Sequence, residues 1–272
     1  MITSNDNSLI KKYQKLSSKK WRHIYQIVPL EGELLIKEAL HSGMEFDYVL
    51  YSQDIEKTDM YRSVILSLLQ KGVKCRAVSP KLFSKITFTD QPQGLAAVIK
   101  FIPHTAEEIL ASSNSVLVLY QVSDPGNMGT LIRSADAFGY DGVICTKGCV
   151  DPTNDKVVRS SMGSLFHIPV SINSIVLDLL SKLQSEDFIS LIAEPDNGTA
   201  IDQLKINNSS VAVFVGNEVH GFCGTNELLE HEFMSTDYVQ KCKIPMRGKA
   251  ESLNAGVAGS IIMYEISKML YS

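Results

Sequence analysis

The chain predicts an α/β protein in two parts: a mostly parallel sheet with helices on both faces, preceded by a small α/β domain. Three observations carry this. Residues 115–272 contain short, near-continuous apolar runs, VLVLYQV, GVICT, HIPVSI, FISLIAE, VAVFVG and CKIPM, the pattern of strands covered on both faces. These runs recur in strand–helix alternation, the signature of parallel α/β architecture. Finally, 272 residues at 44% hydrophobic and 21% charged make a globular chain long enough for one large domain or two ordinary ones.

Residues 1–19 are expected to form a basic arm. Residues 1–30 hold Lys11, Lys12, Lys15, Lys19, Lys20 and Arg22 against one acid, Asp6, for a net of +5, leaving −9 on the rest of a chain of net charge −4. A basic arm on an acidic body is a candidate phosphate contact; a solvated helix face or a frayed tail is the plain alternative. A small α/β domain is expected over residues 20–102. WRHIYQI reads as extended. ELLIKEALHSG reads as a helix with Leu34, Leu35, Ala39 and Leu40 on its buried side and Gly43 as its stop. YVLYS, VKCRAV and GLAAVIKF read as strands and MYRSVILSLLQKG as a helix. Residues 103–114 read as a linker with one short helix, where Thr105 and Glu108 have capping-box spacing. Residues 115–272 form the second domain.

No stretch is long and apolar enough for a transmembrane helix, and MITSNDNSLIKKYQKL lacks the apolar core of a secretory signal. Cys75, Cys145, Cys149, Cys223 and Cys242 contain no C-x-x-C pair. Reduced thiols and a cytoplasmic protein are the expectation.

In parallel sheets ligands bind beyond the carboxyl ends of the strands, which selects three segments. After VLVLYQV comes DPGNMGTLIRSADAFG, residues 124–139. Asn127 is suited to cap the helix there, and Arg133 falls away from Leu131 and Phe138, on a face that packing does not require; an ordinary cap and a solvated arginine are the alternative. After VAVFVG come Asn217 and Glu218, with Gly216 and Gly221 permitting tight turns; Glu218 stands at the crevice mouth or caps the next helix. After CKIPM, Arg247-Gly248-Lys249 form a loop, and Ser252 and Asn254 open a long helix. Its first turns hold Gly256 and Gly259, each costing up to about 1 kcal/mol relative to Ala, so something is expected to pack very closely there.

Several sites are absent: no G-x-G-x-x-G or P-loop for nucleotide phosphates, no zinc spacing and no G-x-S-x-G elbow. Cys145 and Cys149 lack a second ligand pair, so no metal is expected. His220 is the one histidine in a candidate cluster.

Together and in this order, the three segments resemble the TrmH (SpoU) family of the SPOUT class, RNA 2′-O-ribose methyltransferases. N-x-G-x-x-x-R-[ST]-A-x-A-x-G is met by Asn127, Gly129, Arg133, Ser134, Ala135, Ala137 and Gly139. G-[NT]-E-x-x-G is met by Gly216, Asn217, Glu218 and Gly221, and I-P-M-x-G-x-x-x-S-L-N by Ile244, Pro245, Met246, Gly248, Ser252, Leu253 and Asn254. The first region, through EGELLIKEAL and QPQGLAAV, is similar to the ribosomal-protein-like substrate-binding domain that precedes this catalytic domain in relatives. One departure is Ala255-Gly256-Val257-Ala258, where the family has Val-Ser-Val-Ala.

The resemblance implies S-adenosylmethionine as methyl donor, lined by Val215, Gly216, Asn217, Ile244, Met246 and Leu253 in a C-terminal trefoil knot. It implies a catalytic set of Asn127, Arg133, Glu218, Ser252 and Asn254, with Arg133 central, and structured RNA as substrate, ribosomal favoured over transfer RNA. It also implies a homodimer through the knot, with Gly256 and Gly259 of the last helix contributing. A catalytically inactive RNA-binding protein, an RNA base methyltransferase and a small-molecule α/β enzyme are the competing readings.

Overall fold

The computed structural model describes residues 1–194, 198–204, 206, 210–216 and 238–271. The chain divides into two compact units, Met1–Ile102 with Thr153–Phe166, and Pro103–Pro152 with His167–Ser272.

The first unit is built on a four-stranded sheet in the order β1 (Ile27–Glu31), β4 (Leu95–Lys100), β2 (Phe46–Ser52), β3 (Cys75–Val78). The β1/β4 and β4/β2 pairs are antiparallel and β2/β3 is parallel. Helices α1 (Ser8–Lys15) and α5 (Pro80–Ile86) bury Ile10, Tyr13, Leu82 and Phe83 with Tyr48, Leu50, Ala96 and Val98 of the sheet. Helix α3 (Glu33–His41) packs on β1 and β4, and a π-helical turn, Tyr61–Ile65, runs into α4 (Leu66–Gln70).

Four expectations change here. The basic arm is not a tail: Ile10, Tyr13 and Leu16 are wholly buried in this core. WRHIYQI is not extended but lies within α2 (Lys19–Tyr25) up to its stop at Gln26, whose φ of 51° is left-handed. Its aromatic and β-branched letters mimic a strand, yet Trp21 and Tyr25, four apart, stack at 5.4 Å on one helix face. The buried face of α3 is Leu35, Ile36 and Ala39, with Leu34 exposed, because the sheet meets the helix slightly around from the stripe that spacing alone selects. Residues 153–166, contiguous in sequence with the second domain, fold with the first unit. Helix α8 (Asp155–Ser160) packs on β1, and the buried Arg22 donates from Nε to Thr153 Oγ1 at 3.0 Å.

The second unit holds a seven-stranded sheet. Its order is β7 (Val170–Ser174), β6 (Gly142–Thr146), β5 (Ser115–Leu119), β10 (Val211–Val215), β8 (Ile189–Ala193), β11 (Val239–Lys243), β9 (Thr199–Ala200). Every pairing among these strands is parallel. On one face α6 (Ala106–Leu110) and α9 (Val176–Ser185) enclose Val116, Val118, Ile144, Ala212 and Phe214. On the other lie α7 (Pro125–Ala137) and the last helix, α10 (Ala255–Leu270), which also pack on each other. The expected linker contributes to this unit: α6 begins with the capping box, Glu108 N donating to Thr105 Oγ1 at 3.1 Å and Thr105 N to Glu108 Oε2 at 2.8 Å. No helix among the described residues is long and apolar enough to cross a membrane.

Candidate active site

A parallel sheet places all its strand carboxyl ends along one edge. The strand order of the second unit turns around at its centre, with β6 and β7 on one side of β5 and β10, β8, β11 and β9 on the other. Such a reversal leaves a crevice between the two central strands.

The chain leaving β5 enters α7 through Asp124, whose Oδ1 accepts from Asn127 N at 2.7 Å. The cap is therefore Asp124 and not Asn127. Pro125 takes the first helical position, where its fixed φ and missing N–H are at no disadvantage, and this moves Asn127 to the third. Its side chain is thereby released from capping, and Asn127 is 8% exposed.

What it faces is the start of α10. Asn254 caps that helix, accepting from Val257 N at 3.2 Å. A Cβ placed on Gly256 would lie 3.1 Å from Asn127 Oδ1 and 3.1 Å from Asn254 Oδ1. One turn on, a Cβ on Gly259 would collide with Leu131 and stand 2.9 Å from Val215 Cγ2. The glycines cost helix propensity and in return let α10 approach α7 and β10 closely enough to bring the two asparagines together. Ser134 and Ser260 hydroxyls join the helices at 2.7 Å, and Ser260 Oγ donates to Gly256 O at 2.6 Å. The close packing expected at Gly256 and Gly259 is thus an intrachain contact. Both are buried against their own α7 and β10 and cannot form the dimer surface expected of them.

Arg133 does not join this pair within one chain. Six residues along an α-helix turn the side chain about 120° and advance it about 9 Å. Asn127 points inward while Arg133 is exposed. No side-chain hydrogen bond or ion pair engages Arg133 among the described residues. Ser252 is exposed as well. Asn217, Glu218, His220 and Gly221 lie outside the described residues.

The expected donor-binding residues sit at the ends of β10 and β11. Val215 is buried at 3% exposure, Gly216, Ile244 and Leu253 are half-buried, and Met246 is 40% exposed. Among the described residues no backbone hydrogen bond engages residues 244–253. The apolar side chains of Ile244, Met246 and Leu253, beside backbone amides and carbonyls, fit an adenine ring, which needs a flat apolar slot and backbone partners.

One residue at the mouth was invisible in the sequence. Gln121, just past β5, adopts φ 53° and accommodates Gly148, whose Cβ would lie 3.1 Å from Gln121 Cγ. Its N–H reaches Thr146 Oγ1 at 3.3 Å, and nearby Cys149 Sγ donates to Leu119 O at 3.2 Å. A left-handed glutamine has no turn signature in the sequence.

This fold, with its all-parallel seven-stranded sheet flanked by helices, is that of the SPOUT methyltransferases. Residues 114–264 match the SpoU rRNA methylase family, and residues 7–97 match an MRM3-like substrate-binding domain. A Bacillus subtilis relative, 23S rRNA (guanosine(2553)-2′-O)-methyltransferase RlmP, is 36% identical, over 97% of this chain and 98% of its own. The solved AdoMet-bound rRNA methyltransferase of Sinorhizobium meliloti superposes with a TM-score of 0.83 at 26% identity, covering 100% of this chain and 98% of that one. The SpoU methyltransferase AviRb of Streptomyces viridochromogenes, in complex with AdoMet, gives 0.80 at 25% identity over 96% and 97%. The chain belongs to the SpoU rRNA methylase family, and its cofactor is S-adenosylmethionine.

Proposed function

We propose that the chain transfers a methyl group from S-adenosylmethionine to a ribose 2′-hydroxyl of ribosomal RNA. The observation that carries this reading is the meeting of Asn127 and Asn254 at Gly256, where the side chains of two motif residues 127 positions apart both stand 3.1 Å from a Cβ placed on that glycine. The B. subtilis relative, whose name specifies 2′-O-methylation of 23S rRNA, supports both the position of transfer and the class of RNA.

Bound S-adenosylmethionine supplies the methyl group as a sulfonium electrophile, so the protein's task is position and electrostatics. Val215, Gly216, Ile244, Met246 and Leu253 would hold the donor, and Asn217 is assigned to the same group by its motif. A ribose hydroxyl is barely ionised at neutral pH, and an arginine, with a pKa above about 12, is a poor base. Arg133 therefore acts as a positive charge beside the RNA backbone that lowers the hydroxyl pKa, and the proton released as the methyl group is taken up passes to solvent water. Asn127 and Asn254 hydrogen-bond ribose or the adjoining backbone, and Glu218 and Ser252 orient these groups. Loops and bulges are the fitting targets, since their riboses are accessible.

The trefoil knot depends on the path of residues 217–237, outside the described residues. Its support is that α10 returns from β11, beyond β8, to lie on α7 and β10. A homodimer is supported by the outer face of α10, where Val257, Ile261 and Tyr264, at helical spacing, are 47%, 36% and 48% exposed. A cytoplasmic location accords with this substrate.

The test is transfer of a tritiated methyl group to ribosomal and transfer RNA, with the modified nucleotide mapped. Modification of a ribose in ribosomal RNA, abolished in Arg133→Ala with donor affinity kept, is the expected result. Modification of a base, or near-normal turnover by Arg133→Ala, overturns the assignment.

A further inference from the structure

The first unit presents a surface that the catalytic reading does not use. Of the six cations near the N-terminus, half are consumed internally. Arg22, at 5% exposure, donates from Nη1 to Leu16 O at 2.9 Å and Ser17 O at 3.1 Å, besides Thr153. Lys11 pairs with Asp6 at 2.7 Å and Lys12 with Asp47 at 2.6 Å. Lys15, Lys19 and Lys20 are exposed and paired with no carboxylate among the described residues. Arg22 fixes where those three stand, because its bonds to the two carbonyls brace the turn between α1 and α2.

Beside Lys15 and Lys20 lies Trp21, the single tryptophan of the chain. Tyr25 stacks against it at 5.4 Å with the planes 25° apart. The ammonium groups of Lys15 and Lys20 stand 4.7 Å and 5.5 Å from its ring centroid. Lys12, held by Asp47, lies 5.4 Å over Tyr25 and steadies that ring from below. Trp21 is only half-buried, and the charged groups beside its ring are the ammonium groups of Lys15 and Lys20. An exposed indole backed by a second ring and flanked by unpaired ammonium groups is the chemistry that binds a single nucleic-acid strand: bases stack on the rings and phosphates take the cations.

We propose that Trp21, backed by Tyr25 and flanked by Lys15, Lys19 and Lys20, is a stacking platform for an unpaired base of the RNA substrate, with the three lysines holding the flanking phosphates. The proposal rests on the reading of this chain as an RNA methyltransferase and adds to it where a single-stranded segment is gripped. Lysine–indole contacts at an exposed site are weak, so an arriving base and its phosphates replace them without loss of structure.

The single tryptophan makes the test direct. The full chain is titrated with a labelled single-stranded RNA of about ten nucleotides, within the range such surfaces cover, and with inorganic polyphosphate. Tryptophan emission and label anisotropy are both read. Strong quenching by RNA and little by polyphosphate is expected. Trp21→Ala should weaken RNA binding roughly ten- to hundredfold, the range for loss of one stacked base, and Trp21→Phe should recover most of it. Lys15→Ala/Lys19→Ala/Lys20→Ala should flatten the dependence of log affinity on log salt by about 2, at roughly 0.7 per phosphate contact. Unquenched emission at saturating RNA, or equal quenching by polyphosphate, overturns the platform; so does unchanged affinity in Trp21→Ala. Methyl transfer by the wild-type chain is followed in parallel. Transfer with an unquenched tryptophan sinks the platform and leaves the enzyme reading standing, while a chain with neither RNA affinity nor transfer sinks both.

Discussion

The two sheets of this molecule handle polar residues in opposite ways. In the seven-stranded sheet every strand runs parallel, so residues distant in sequence are delivered to one edge, and small residues let helices close over them. In the four-stranded sheet two of three pairings are antiparallel, strand ends point both ways, and no such edge exists. Its polar investment is internal instead. Glu31 accepts from Tyr13 Oη at 2.7 Å, Phe88 N at 2.7 Å, Thr89 N at 3.0 Å and Thr89 Oγ1 at 2.7 Å, tying α1 to the segment after α5. The lesson is that strand direction decides whether a sheet concentrates chemistry at an edge or serves as a frame for a surface carried by its helices.

That contrast can be broken by substitution. The largest effect is expected at Gly259. Gly259→Val forces a branched side chain into Leu131 and Val215, and overpacking of this kind costs at least about 1–3 kcal/mol. S-adenosylmethionine affinity should collapse while the first unit keeps its RNA affinity. Calorimetry with donor and anisotropy with RNA check both, and equal loss of the two would show that the units are not independent. Next is Glu31→Ala, which removes the acceptor shared by Tyr13, Phe88 and Thr89 in a part-buried setting, at about 1–3 kcal/mol. Here the reverse is expected, with RNA binding impaired and donor binding retained.

Smaller effects sharpen the picture. Asp124→Ala removes the α7 cap, worth about 1 kcal/mol; urea unfolding measures that loss. Turnover should fall by more than stability alone explains, because Asn127 N would lose its partner and the asparagine its position. Ser134→Ala should cost about 1 kcal/mol, and a double-mutant cycle with Ser260→Ala should recover it as coupling. The smallest effect is alkaline. Burial pushes the Cys75 thiol of the first sheet up to about 11 and the Cys242 thiol of the second up to about 12, from an ordinary 9.0. The folded chain then holds protons that the unfolded chain has released. That stabilisation is complete below pH 9 and lost as pH climbs through about 11 to 12. Denaturation midpoints measured from pH 8 upward should fall, and an alkaline plateau would contradict the burial of both thiols.

The letters of this chain determined a good deal unaided. Apolar runs located five strands of the parallel sheet because both its faces are covered, but β11 is Val239–Lys243, so that of CKIPM only Cys242 and Lys243 are strand, and Thr199–Ala200 had no signal. The rule that ligands gather at carboxyl ends then pointed to residues 124–133, 215–218 and 244–254. Local spacing also foretold the Thr105–Glu108 box. Other features required three dimensions. Pro125 shifted the cap to Asp124 and turned Asn127 inward, a difference of one turn that spacing does not resolve. Six cations looked like one basic arm until tertiary contacts divided them into a buried brace, two ion pairs, two ammonium groups beside an indole and one exposed lysine. Gly256 and Gly259 announced a close contact, but only packing showed that the partner is α7 and not a second chain. Residues 153–166 lie in sequence between two strands of one sheet and fold against the other unit. Periodicity and caps are local properties written in consecutive residues. Which surfaces meet is decided by which burial is most favourable for the whole chain, and no window of sequence contains both sides of such a contact.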